Sequence, residues 1–124
     1  MPVQSLEEIE IFKLAEEISD KWWNIVSSWS PFAKDTIGKQ LVRAVDSIGA
    51  NIAESYGRYH FAEKINHLYY SRGSLYEAKF FARRALKRKL VDQATYDNML
   101  GDLSKLAPML NAYIKSKRTQ KKNA

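Results

Sequence analysis

The sequence predicts an all-α protein built as an antiparallel, up-down-up-down four-helix bundle. Apolar residues recur at steps of three and four through four separate stretches of the 124-residue chain. That spacing gathers side chains on one side of a 3.6-residue helix. The connections between the stretches are short, so consecutive helices are antiparallel neighbours. No stretch alternates apolar and polar residues as a half-buried strand does. A chain of this length forms one domain with a core of its own, not two. The bundle is expected over 1–114, followed by a tail over 115–124.

Helix 1 is expected over about 6–28. Ser5 precedes it and Glu8 follows three residues later, the arrangement of a capping box. Glu7, Glu8 and Glu10 sit at the positive end of the helix dipole. Phe12, Ala15, Ile18, Trp22, Ile25 and Val26 supply its apolar side. Trp22 and Trp23 point about 100° apart, so Trp23 falls at the edge of the core or at a contact between subunits. Ser27, Ser28, Ser30 and Pro31 end the helix and form the first loop.

Helix 2 is expected over about 34–56, with two faces of opposite character. Ile37, Leu41, Val45, Ile48, Ile52 and Tyr56 form the apolar stripe. Gln40, Arg43, Ser47, Asn51, Glu54 and Arg58 run in a parallel polar file. Gly49 permits close helix approach or a bend, and Gly57 is a natural stop. Helix 3 is expected over about 61–89. Phe61, Ile65, Leu68, Leu75, Ala82 and Leu86 mark its inner face, and Tyr69, Tyr76 and Phe80 mark an adjoining one. This aromatic surface is wider than a single bundle stripe requires, which suggests oligomer contacts. Helix 4 is expected over about 93–114, capped by Asp92. Tyr96, Leu100, Leu103, Leu106, Leu110, Tyr113 and Ile114 form its apolar side. Pro108 is expected to bend it. The tail KSKRTQKKNA, from Lys115, is expected to be disordered.

Composition removes several classes of function. The chain has no cysteine, which excludes disulfides, thiolate catalysis and cysteine-based metal sites and fits a reducing cytoplasm. The start carries no secretory pattern, and no run approaches the roughly 18 apolar residues of a membrane span. Only two histidines, His60 and His67, are present, and neither has the Glu-x-x-His spacing of a di-iron bundle. No metal, no cofactor and no enzymatic activity are therefore expected. There is no nucleophile with a partner base and no glycine-rich phosphate loop.

Two constellations remain. Arg43, Asn51 and Glu54 with Ser74 and Glu77 are expected to form a buried hydrogen-bonded network that fixes helix register, with Ser47, Gly57 and Arg58 beside it. Arg43 and Arg58 touching phosphate is the alternative, and the interleaved carboxylates disfavour it because they repel a polyanion. The second constellation is basic. The net charge of +6 divides as −4 over 1–30, +1 over 31–60, +6 over 61–90 and +3 over 91–124. Arg83, Arg84, Lys87, Arg88 and Lys89 crowd the end of helix 3 with no acid among them. Lys115, Lys117, Arg118, Lys121 and Lys122 populate the tail, at the opposite end of the bundle. Such clusters either complement a helix end or bind a polyanion.

RAVDSIGANIAESYGR at Arg43 to Arg58, followed by GSLYE at Gly73 to Glu77, resembles the bacterial four-helix proteins encoded within intervening sequences of 23S ribosomal RNA genes. In that family the region reads R-A-x-x-S-I-x-x-N-I-A-E-G-x-G-R, then G-S-L-x-E one helix later. Arg43, Ala44, Ser47, Ile48, Asn51, Ile52, Ala53, Glu54, Gly57 and Arg58 match. Gly49 stands where many members have proline, and Ser55 where they have glycine, which bears on the helix bend and end. The resemblance runs from about Leu6 to Ile114. A more distant likeness, in length, basicity and helix number, is to accessory proteins of diversity-generating retroelements, which assist a reverse transcriptase. The resemblance implies a homo-oligomer, a pentameric ring, that binds RNA or a reverse-transcriptase ribonucleoprotein. A protein-interaction scaffold with no nucleic-acid role is the alternative.

Overall fold

The computed structural model describes residues 4–124; Met1, Pro2 and Val3, the start of the span expected for the bundle, lie outside the described residues. Its helices begin and end where side chains satisfy backbone groups that the helix itself leaves free. Ser5 donates from its backbone N–H and its hydroxyl to the Glu8 carboxylate, at 3.1 and 2.7 Å. These bonds close a 3₁₀ turn, Leu6–Glu8, and not the first turn of an α-helix. Ile9 is extended, and α1 runs over Glu10–Ser27.

Helix α2 spans 31–57 in three pieces: α-helix Pro31–Ala33, a π turn Lys34–Gly38, and α-helix Lys39–Gly57. It begins three residues before the expected start. The Ser30 hydroxyl accepts from the Ala33 N–H at 3.3 Å, and Pro31 fills the first helical position, where its missing N–H costs nothing. Gly38, at the end of the π turn, receives the end of α1 closely. A methyl group there would lie 2.8 Å from Val26 Cγ1 and 3.0 Å from the Ala33 carbonyl oxygen.

Helix α3, Phe61–Lys87, stops two residues before the expected end. The Lys89 N–H donates to the Leu86 carbonyl and the Leu90 N–H to the Ala85 carbonyl, at 3.0 and 2.9 Å. That pair of bonds is a Schellman closure, with Lys89 at φ 61° in the position that glycine usually holds. Helix α4 runs over Gln93–Asn123 and opens on Asp92, whose carboxylate accepts from the Thr95 N–H at 2.7 Å. That bond holds the Asp92 carboxyl below its ordinary range. The disordered tail expected from Lys115 is instead the last part of α4. Lys, Arg and Gln are good helix formers, and cations at a C-terminus complement the dipole. Pro108 sits on the exposed side, and the helix continues through it.

Each helix packs on the next, and α4 returns to α1, closing the four into one bundle. Among the described residues there is no strand. The centre is filled by Ile18, Trp22, Leu41, Ile48, Ile52, Leu68, Leu75, Leu103, Leu106 and Leu110, all fully buried. On α1 the buried stripe is Ile11, Leu14, Ala15, Ile18, Trp22 and Val26, so Phe12 and Ile25 lie at its margins. Serine hydroxyls join the helices by donating to main-chain carbonyls: Ser19 to Val45 at 3.1 Å and Ser71 to Ile48 at 2.8 Å. Ser55 does the same to Lys64, at 2.8 Å.

Gly38→Ala is expected to lower stability by about 1–3 kcal/mol, because the new methyl meets backbone and a packed valine. Gly101→Ala, in an open position of α4, is expected to raise it by about 0.5–1 kcal/mol. Denaturant unfolding of the two variants checks both; a parent-like Gly38→Ala would contradict the close approach of α1 and α2.

Candidate nucleic-acid interface

The polar file of α2 lies along its seam with α3, with Arg43, Glu54 and Arg58 exposed and Gln40, Ser47 and Asn51 half-buried. Arg43 donates to the Gln40 side chain at 2.9 Å and pairs with Glu77 at 3.4 Å, with side chains 62% and 44% exposed. Asn51 donates to the Ser47 carbonyl at 2.9 Å, and its amide oxygen lies 3.4 Å from His67 Nδ1. Arg58 pairs with Glu54 at 3.6 Å and with Glu63 at 3.5 Å, across the loop that follows Gly57. The expectation of a buried network is thus corrected. The file bridges two helices at the surface, and Ser74 takes no side-chain hydrogen bond in it. Among the described residues the buried polar side chains are Ser55 and Ser71.

The basic clusters fall at opposite ends of the bundle, as expected. Arg83, Lys87, Arg88 and Lys89 are exposed around the α3–α4 turn, and Arg84 is partly covered with its guanidinium 5.8 Å from the Phe80 ring centre. At 1.5 Å per residue, α4 carries its C-terminal cations about 40 Å away.

Helical periodicity then sorts those C-terminal cations into two rows. Lys115, Arg118 and Lys122 recur at three and four and line a groove of about 650 Å³ between α3 and α4, with Tyr69, Arg72, Asn111 and Thr119. Arg72 donates to the Asn111 side chain at 3.1 Å and lies 4.9 Å over the Tyr69 ring. The groove is lined by four cations and no carboxylate. Lys117 turns to the other side of α4, into a groove of about 540 Å³ shared with Lys64, Tyr56 and Tyr113. Burial, and then the charge of Lys64, lowers the Lys117 pKa. Lys64 itself donates to the Ser55 and Tyr56 carbonyls at the end of α2, at 3.3 and 3.1 Å. Lys121 is exposed beyond both.

Arg72 and Lys64 were not singled out by sequence. Tyr69 and Arg72 at i, i+3 were a usable signal, yet the partner row on α4 appears only once the tail is helical. Among the described residues no three histidine, aspartate or glutamate side chains gather as metal ligands. No described helix is long and apolar enough to cross a membrane. Because the Arg43–Glu77 pair is exposed, Arg43→Ala is expected to cost less than about 1 kcal/mol. Ser71→Val, which overfills the closed α2–α3 seam, is expected to cost about 1–3 kcal/mol. Thermal melting ranks them, and the reverse order would restore the buried-network account.

The family model for the 23S rRNA-intervening sequence protein matches residues 7–112, ending just before Lys115. A protein of unknown function from the S23 ribosomal protein family of Bacteroides thetaiotaomicron, known from its crystal structure, has the same fold. The TM-score is 0.77 at 21% identity, covering 85% of this chain and 95% of that one. No curated protein matches. With the motif of α2, the four-helix architecture and a match over most of its length, the chain belongs to the 23S rRNA-intervening sequence protein family.

Proposed function

We propose that the protein is a non-enzymatic, homo-oligomeric module that binds RNA, or an RNA-protein particle such as a reverse-transcriptase ribonucleoprotein, in the cytoplasm. The observation that carries this reading is the convergence of Arg72, Lys115, Arg118 and Lys122 on one groove without a carboxylate. Solubility alone is served by scattered charges of both signs. Four cations in one concavity raise the local potential and suit the phosphate backbone, which supplies most non-specific affinity. The absence of cysteine accords with a reducing compartment.

Assembly as a ring of five copies would repeat the groove and multiply weak phosphate contacts into avidity. Unpartnered aromatic surface supports self-association. Trp23 is 61% and Phe32 79% exposed, and Trp23, Val26 and Val42 line an apolar groove of about 540 Å³ between α1 and α2. The same surface favours a second reading, a protein-interaction scaffold with no nucleic-acid role.

Nuclease-treated protein is expected to run as a particle of several 14.3 kDa chains by light scattering, and to bind RNA at low salt and release it at high salt. Replacing Arg72, Arg118 and Lys122 by Gln together is expected to weaken binding at least tenfold and to flatten the log–log salt slope by about 2. Parent affinity in that variant would remove the groove. Loss instead on neutralising Arg83, Arg84, Lys87 and Arg88 would move the site to the other end. Indifference to RNA at both salts, with a co-purifying protein, would favour the scaffold.

A further inference from the structure

The basic groove does not end at Arg72. Tyr69, Tyr76 and Phe80 follow at steps of seven and four, which keeps them in one narrow sector of α3. Tyr76 and Phe80 point away from Leu68, Ser71, Leu75, Ala78, Ala82 and Ala85 on the buried side of the helix, while Tyr69, four residues after buried Ile65, is half-buried against the core. Tyr76 and Phe80 are each 56% exposed. Every ring in the row carries a cation: Arg72 lies 4.9 Å from the centre of Tyr69, Lys79 5.2 Å from Tyr76 and Arg84 5.8 Å from Phe80. Glu77 is the single acid of the segment from Tyr69 to Lys89, and it turns toward α2, where it pairs with Arg43. Ring and cation therefore alternate for about 27 Å along α3, from the basic groove to the basic turn.

From this juxtaposition we infer that the nucleic acid is single-stranded, its bases stacked on Tyr76 and Phe80 while the cations follow its backbone. The inference rests on the RNA-binding reading and names the class of RNA. Phosphate contact alone would not call for exposed rings, and exposed rings alone would not call for interleaved cations. The combination is what an unpaired strand requires, because every base offers a π face and every linkage a charge. A paired duplex hides its base faces inside the stack and presents only backbone and groove edges. Duplex RNA gains nothing from the rings and is held by the cations alone.

The test compares an unstructured mixed-sequence single strand with a perfectly paired duplex of the same length, at one salt concentration. The probes are the parent and the double variant Tyr76→Leu, Phe80→Leu, which keeps apolar bulk and removes the stacking faces. Parent protein is expected to prefer the single strand. The variant is expected to lose roughly a hundredfold for the single strand, because stacking on each of the two rings contributes about tenfold, and to keep its duplex affinity. Equal affinity of the parent for both RNAs, with the variant unchanged, would overturn the inference and leave the RNA-binding reading standing. A variant whose light-scattering mass falls to one chain would reassign the row as a subunit contact and also overturn it. A parent that binds neither RNA would overturn both readings together. Helical circular dichroism of the variant confirms that the comparison is between folded proteins, as the exposure of both rings predicts.

Discussion

The close seam between α2 and α3 is the constraint from which the rest follows. Ser71 is fully buried and donates to the Ile48 carbonyl at 2.8 Å, so the two backbones approach within the reach of a hydroxyl. Such approach requires small residues, and α3 turns Ser71, Ala78, Ala82 and Ala85 inward. Leucines at 68 and 75 fill what space remains. The large rings at 70, 76 and 80 lie outside, so α3 is apolar on its inner side and carries exposed aromatic side chains on its outer one as well. Its solvent side is thereby released from packing and free to carry a functional surface.

A second constraint is the length of α4. If the helix stopped at Ile114, Arg118 and Lys122 would be held in no fixed relation to Tyr69 and Arg72. Continuing to Asn123, it sorts alternate cations to opposite sides and completes the wall of the α3–α4 groove. Charge is divided across the bundle accordingly. Glu16, Asp20 and Asp46 rim a groove of about 330 Å³ between α1 and α2, away from the α3–α4 groove, while Lys34, Lys39 and Arg43 line a second groove between α1 and α2. Lys21 and Asp102 tie α1 to α4 at 2.8 Å.

Helix number, order and the core of α2 were legible in the sequence, because Ile37, Leu41, Val45, Ile48 and Ile52 leave only one way to bury them. Boundaries were less so. Ser30-Pro31 reads equally as loop and as helix start, and the end of α3 is hidden because Lys89 occupies a left-handed position that glycine usually holds. The polar file of α2 shows what periodicity omits. It places Arg43, Asn51 and Glu54 on one side of a helix without saying whether that side is covered, and here Arg43 and Glu54 are exposed while Asn51 is half-buried. The basic tail is ambiguous for a related reason: its charge pattern resembles a solvated chain, while its residues are individually good helix formers. Cross-helix partners such as Arg72 and Asn111 lie far apart in sequence, and no local pattern announces them.

The most direct test of the central claim, that RNA lies along the α3–α4 face, is ultraviolet cross-linking of bound RNA with adduct sites mapped by peptide mass spectrometry. The account predicts adducts on peptides carrying Tyr69, Tyr76 and Phe80 and on the α4 segment around Arg118. Adducts confined to α1, or to the file of Arg43 and Asn51, would contradict it.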